Sequence, residues 1–360
     1  MHDPTQLPTG LPVPADDGAC DHLVGTLLPS IELGCGNGDS IDLKRFRTDA
    51  RLAEAVLFVY PRTGVPGQRP SLGFGGEEWD TIPGARGCTP QSCGFRDGYA
   101  GFEGLGVRIF GVSTNTVEHQ AEFKSRMQIP FPLISDSSLQ LTRAVRLPTF
   151  EFPVESGGPN TMLHRMAWFV VRGRIHKVWY PVYPPSENAA RVLAWLRARP
   201  SVRAATPADV AWIRAELHRH WHSTSISSRG KVFAADQLPA LIAETGGTPA
   251  GLLTYSVERD GCEVVTLSST VEGKGVGAEL LCAVEAEALR AGCGRLFLTT
   301  TNDNLHALGF YQRRGWSLAA LHRGGMDEAR RSKPEIPWMG LSRIRLRDEI
   351  ELELSLSQVR

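Results

Sequence analysis

Ala55-Val56-Leu57-Phe58-Val59-Tyr60 is an unbroken β-prone run that stops at Pro61. A strand with one wet face alternates apolar and polar residues. This one does not alternate, which predicts a central strand covered on both faces and, with it, a layered α/β fold. The flanking pattern agrees. Leu23 to Leu43 predicts a β-hairpin turning at Gly34-Cys35-Gly36-Asn37-Gly38. Cys88 to about Leu105 predicts a helix, Val107–Val112 a strand, Thr116–Met127 a helix and Phe131–Ile134 a short strand. A short helix at Ser138–Val145 follows. Met166–Val171 and Ile175–Tyr180 then form a hairpin, and Glu187–Arg199 a closing helix.

The pattern restarts at Arg199-Pro200-Ser201, and 360 residues suffice for two domains with their own cores. The expected organisation is a disordered tail at 1–20, a first domain at 21–199 and a second at 201–357. In the second half Val202–Ala205 reads as a strand. Thr206 caps a helix that carries Pro207 in its first turn and runs to Trp221. Ala240–Glu244, Gly251–Glu258 and Glu263–Leu267 read as an antiparallel meander. After a glycine cluster come a helix to Arg290, a strand at Arg295–Thr300, a helix at Asn304–Arg314 and a strand at Ser317–His322. A charged connection spans 323–347, and a last strand covers Glu349–Leu356.

Lys+Arg and Asp+Glu both total 39, so the chain lacks the basic footprint of a general nucleic-acid binder. No apolar run reaches the ~18–20 residues of a membrane span. Met1-His2-Asp3-Pro4 opens with neither a basic nor an apolar leader region, so a cytoplasmic protein is expected. The 7 cysteines are odd in number and scattered, a poor disulfide framework.

Two of them stand out. Gly87-Cys88-Thr89-Pro90-Gln91-Ser92-Cys93-Gly94-Phe95-Arg96-Asp97 places cysteines five positions apart where a glycine-rich loop enters a helix. The N–H groups left open at a helix start favour an anion there, and the thiolate is the reactive form of cysteine. Two other readings stay open: small buried residues, or a zinc site, for which the spacing is wrong and no matching Cys/His pair is evident. Thr89 reads as a capping hydroxyl.

The order of motifs in the first half resembles the Q-type (bacterioferritin-comigratory) peroxiredoxins of the alkyl hydroperoxide reductase/thiol-specific antioxidant superfamily. The motifs are Tyr60-Pro61, Gly87-Cys88-Thr89, Cys93, Phe95-Arg96-Asp97, Phe110-Gly111-Val112-Ser113, Phe131-Pro132-Leu133-Ile134-Ser135-Asp136 and His164-Arg165. The resemblance covers roughly residues 22–198 and implies a thioredoxin-like domain. It makes Cys88 the peroxidatic cysteine, Cys93 the resolving one and Arg165 the residue that binds thiolate and peroxide. It also implies a peroxide substrate and an external thiol reductant of thioredoxin-like kind, with no metal. The family keeps a threonine three residues before the cysteine. Here Ala85 holds that place, and Arg62 to Arg86 reads as an insertion, leaving Thr63 or another loop donor to supply the hydroxyl.

Glu272-Gly273-Lys274-Gly275-Val276-Gly277 lies between a strand and a long helix, where successive N–H groups suit a pyrophosphate. With Asn304, Ala307, Tyr311, Gly315 and Trp316 it resembles motifs A and B of the GNAT N-acetyltransferases, a mixed α/β fold, over about 201–356. Glu272 stands where that family has Arg or Gln. The resemblance implies acetyl-CoA as co-substrate, held by Lys274, Gly275, Val276, Gly277 and Asn304, with Tyr311 protonating the departing thiolate. Glu263 and Glu258 are general-base candidates by position only; a glutamate so placed is more often a solvated strand residue. Arg330-Arg331-Ser332-Lys333-Pro334-Glu335 reads as a solvated loop that can meet an acidic acceptor.

Together these readings give a bifunctional thiol peroxidase and N-acetyltransferase acting on an unknown amine, without nucleic-acid or membrane partners and compatible with a homodimer. Two alternatives share the folds. The first domain can be a redox sensor regulating the acetyltransferase, or the second can bind acetyl-CoA without transferring the acetyl group.

Overall fold

The computed structural model describes residues 7, 10–36, 38–64, 80–84, 86–152, 160–259 and 261–356. Most of the insertion before Cys88, Ala85 and most of residues 1–9 lie outside this set, as does Asn37 in the first hairpin turn. The chain divides into two compact units, Met1–Arg197 and Ala198–Arg360.

In the first unit a hairpin of β1 (Glu32–Gly34) and β2 (Ser40–Asp42) precedes a single helical turn, α1 (Arg45–Thr48), and the strand β3 (Glu54–Val59). Then come α2 (Cys88–Asp97), α3 (Tyr99–Glu103), β4 (Arg108–Ser113), α4 (Val117–Arg126), β5 (Leu133–Ser135) and α5 (Gln140–Val145). A second hairpin, β6 (Thr149–Glu151) and β7 (Thr161–Leu163), leads to β8 (Met166–Val171), β9 (Arg174–Trp179) and α6 (Asn188–Ala198). Among the described residues the main sheet runs β5-β4-β3-β8-β9. β3 is central, parallel to β4 and antiparallel to β8.

The uninterrupted apolar run is thereby explained. Ala55, Leu57 and Val59 enter one core with Phe46, Leu141 and Trp168. Val56, Phe58 and Tyr60 enter the other with Phe95, Phe102, Phe123 and Val192. Phe95 stacks on Phe58 at 4.3 Å between centroids, which fixes α2 against the sheet. Each such phenyl ring contributes about 1.5–3 kcal/mol on burial. The single helix expected from Cys88 to Leu105 is two, parted at Gly98. The hairpin β6–β7 was not expected.

The second unit holds β10 (Ser201–Ala204), α7 (Val210–Trp221), β11 (Ser225–Ser228), β12 (Lys231–Ala234), β13 (Ala240–Thr245), β14 (Thr248–Glu258) and β15 (Gly261–Ser269). It continues with α8 (Val276–Arg290), β16 (Arg295–Thr301), α9 (Leu305–Gln312), β17 (Ser317–His322), α10 (Gly325–Ser332) and β18 (Glu349–Ser355). The sheet order is β10-β13-β14-β15-β16-β18-β17. Thr206 and Asp209 form a reciprocal capping box ahead of α7. The β11–β12 hairpin and α10 are additions to the expected elements, α10 replacing part of the charged connection.

Among the described residues of the second unit only β15 and β16 pair in parallel, and only from Cys262↔Leu296 to Val264↔Leu298. β15 stays paired with β14 as far as Ser269↔Gly251, and a register shift leaves Val265 without an opposite residue. Beyond Val264 the β15–β16 ladder stops, and the sheet opens there. On the α8 side, a β-carbon at Gly251 would overlap Val276 Cγ1, so this glycine lets the helix start lie close to the sheet.

Candidate active sites

Cys88 is the first residue of α2. Its N-cap, Gly87, has φ 104°, and a β-carbon there would lie 2.5 Å from Pro185 Cγ. Backbone hand and steric room both demand glycine. The cap is therefore Gly87, not Thr89. Cys88 and Arg165 are 5% and 4% exposed, yet in contact: Arg165 Nη2 donates to Cys88 Sγ at 3.2 Å.

The same guanidinium is fixed on its other sides. Nη2 donates to the Arg86 carbonyl at 3.1 Å, Nε to the Gly84 carbonyl at 3.1 Å, and Nη1 to Gln91 Oε1 at 2.5 Å. Gln91 Nε2 in turn donates to Asn188 Oδ1 at 3.0 Å, and both amides are buried. Gln91 and Asn188 are not among the residues the sequence motifs single out. Gln91 lies three residues after Cys88 on the same helix face, a signal that was available. Asn188 is brought in only by the fold of α6.

Cys93 is the sixth residue of α2, and burial pushes its thiol up. Cys88 and Cys93 are both buried and not joined in a disulfide. The buried Thr63 hydroxyl is engaged by His119 Nε2 at 3.0 Å and by Asn115 Nδ2 at 3.4 Å. Burial lowers the proton affinity of that imidazole.

In the second unit, Gly273 and Gly275 have φ 71° and 80°, with none of the described residues within 4 Å of an added β-carbon. Gly275 is the N-cap of α8, and residues 270–275 are exposed, so the loop that leads into this long helix is open to solvent, while the first turn itself is half-buried or buried. Val276 is buried in the core, so of this residue only the backbone can serve a ligand. The acid in the first turn, Glu279, is bound by Arg199 Nη2 at 2.8 Å, which offsets a charge that would otherwise repel an anion. Lys274 and Glu272 are both exposed. The residues present fit a phosphate group.

Asn304 caps α9, its Oδ1 accepting from Ala307 N at 3.1 Å. Tyr311 is buried beside Trp316, their centroids 5.5 Å apart, and burial raises its phenol pKa above the ordinary value. Glu263 departs from expectation. It is fully buried, its carboxylate accepting from Ser228 Oγ at 2.6 Å and Arg229 Nη2 at 2.9 Å. Glu258 is paired with Lys231 at 2.5 Å near the surface. Arg330 is likewise no solvated loop residue. It is buried in α10 and donates to the carbonyls of Ile336, Pro337 and Leu346.

Residues 82–175 match the AhpC/TSA family, and residues 195–316 the acetyltransferase (GNAT) family. The chain joins an AhpC/TSA-family peroxiredoxin domain to a GNAT acetyltransferase domain. Both halves thus fall among enzymes, an oxidoreductase first and an acyltransferase second. The uncharacterized protein YdhI of Bacillus subtilis (strain 168) is 40% identical over 133 residues, 37% of this chain and 83% of that protein. Peroxiredoxin bcp1 of Schizosaccharomyces pombe is 30% identical over 142 residues, 39% of this chain and 61% of that protein. The solved structure of peroxidoxin BcpB from Mycobacterium tuberculosis aligns at TM-score 0.38 and 23% identity, over 49% of this chain and 98% of that one. Among the described residues no helix is long and apolar enough to cross a membrane, and no group of three or more His, Cys, Asp and Glu could hold a metal ion.

Proposed function

We propose that the first domain reduces peroxides through Cys88. The observation that carries this is the 3.2 Å contact from Arg165 Nη2 to Cys88 Sγ, which sets a fixed positive group against the sulfur that must bear negative charge. The thiolate attacks one peroxide oxygen. The O–O bond breaks, the sulfur becomes a sulfenic acid, and the other oxygen leaves and takes up a proton as water or alcohol. Cys93 then condenses with the sulfenic acid, releasing water and forming a disulfide. An external dithiol of thioredoxin type restores both thiols and is itself oxidised. NADPH-coupled turnover of the full chain with thioredoxin and its reductase tests this. Catalytic turnover that Cys88→Ser abolishes is expected; oxidation in one stoichiometric event contradicts it and favours a sensor.

The second domain is proposed to be an acetyl-CoA-dependent N-acetyltransferase. The start of α8, with Lys274, Gly275, Val276 and Gly277, would hold the diphosphate, and Asn304 the pantetheine arm. The thioester supplies the activated acetyl group. Tyr311, whose phenol burial makes still harder to ionise, would donate the proton to the leaving thiolate. Calorimetric titration of acetyl-CoA into wild type and Gly275→Val tests the cradle. Equal affinity for the two removes it. The cytoplasm remains the proposed compartment.

A further inference from the structure

Asp303 lies between the end of β16 and the start of α9, beside Asn304. It is 4% exposed, and its two oxygens are treated differently. Oδ2 accepts from Leu341 N at 2.6 Å. Among the described residues Oδ1 is buried with no hydrogen-bond partner. A buried carboxylate oxygen without a donor is costly, and in a native structure it calls for a donor from water, an ion or a ligand.

The surroundings indicate what kind. The turn over Asp303 is tied by Gly340 N to Ile344 O at 2.9 Å and by a bridge between Met339 and Arg345. Gly340 packs so tightly on the carboxylate that a β-carbon would overlap it. This turn, with the first residue of α9, presents Trp338, Met339, Leu341 and Leu305, each more than half exposed. The indole is held in place, for the Arg330 guanidinium lies 4.2 Å from its ring centroid while bonding three backbone carbonyls.

We infer that Asp303 and this apolar rim form the acceptor subsite of the second domain, and that the acceptor is a primary amine on an apolar body. The ammonium donates to Asp303 Oδ1, and the body lies against Trp338, Met339 and Leu341. The inference rests on the acetyltransferase reading, because Asp303 adjoins the asparagine proposed to hold the pantetheine arm.

The test uses the full chain saturated with desulfo-coenzyme A, and phenethylamine, ethanolamine and 2-phenylethanol as probes in equilibrium dialysis. Phenethylamine is expected to bind at least tenfold more tightly than either of the others. Asp303→Asn, which keeps an oxygen for Leu341 N, should weaken it at least tenfold with coenzyme affinity within twofold. Trp338→Ala, at an exposed position, should weaken phenethylamine at least fivefold and leave ethanolamine unchanged, so the test stands even if Asp303→Asn does not fold. Phenethylamine binding no tighter than 2-phenylethanol, or unaffected by either substitution, overturns the subsite. Failure of desulfo-coenzyme A itself to bind is a separate result, and it removes the acetyltransferase reading along with the subsite.

Discussion

Oxidation of Cys88 and Cys93 to a disulfide should open the start of α2 and leave its end in place. In an ideal helix the Cα atoms of a first and a sixth residue are roughly 8–9 Å apart, beyond the ~7 Å over which a disulfide can close. The bond needs the first turns unwound. That segment includes the Gln91 N–H to Gly87 carbonyl bond at 2.9 Å. About three or four backbone hydrogen bonds are lost, at about 1 kcal/mol each. A penalty of about 3–4 kcal/mol on the oxidised form raises the reduction potential by about 65–85 mV, at 30 mV per 1.4 kcal/mol. Starting from about −300 mV for an unpenalised structural disulfide, the pair should lie between about −240 and −215 mV, within reach of a thioredoxin near −270 mV. Phe95, stacked on Phe58, should confine the opening to residues before it. A glutathione redox titration followed by mass spectrometry gives the potential, and hydrogen exchange locates the opening. A potential at or below −300 mV, or unchanged amide protection from Gln91 to Gly94 in the oxidised protein, would refute the reasoning.

Other expectations are independent of that one. Gly87→Ala places a side chain at φ 104° and against Pro185, and should cost about 2–5 kcal/mol in urea unfolding; a loss below 0.5 kcal/mol, an order-of-magnitude floor for surface changes, is the contrary result. Arg165→Lys removes the planar fork and should lower kcat/KM for peroxide about 100-fold in the coupled assay. Tyr311→Phe should slow acetyl transfer about 100-fold while acetyl-CoA affinity stays within twofold. Burial depresses both His119 and His164 below their ordinary pKa of 6.5. The unfolded chain then binds more protons below that value, so stability should fall as pH drops through it. Replacing both with Gln should flatten urea midpoints between pH 5 and 7.

The layered architecture was legible because β3 buries both faces, and a six-residue apolar run stopped by Pro61 is too short for a helix. What escaped reading was what distant chain supplies. The serines of β11 have weak strand preference, and pairing with β12 imposes the extended form. In α10 the apolar contacts are only Met326 and Ala329, and the arginine that completes its buried face looks solvated in sequence. Glu263 looked like a surface residue for the same reason, since its arginine lies 34 positions away. At the thiol site the two cysteines and Arg165 were readable from their motifs, whereas Asn188 had no local signal.

That last amide has a consequence for how the protein is made. Chains emerge from the ribosome N-terminus first. The guanidinium that faces Cys88 is held by Gln91, and Gln91 by Asn188, near the very end of the first unit. A nascent chain has both cysteines outside the tunnel long before Asn188 is added. The thiol gains its seated arginine only when the first unit is nearly complete, so maturation of its reactivity should coincide with release of that unit from the ribosome.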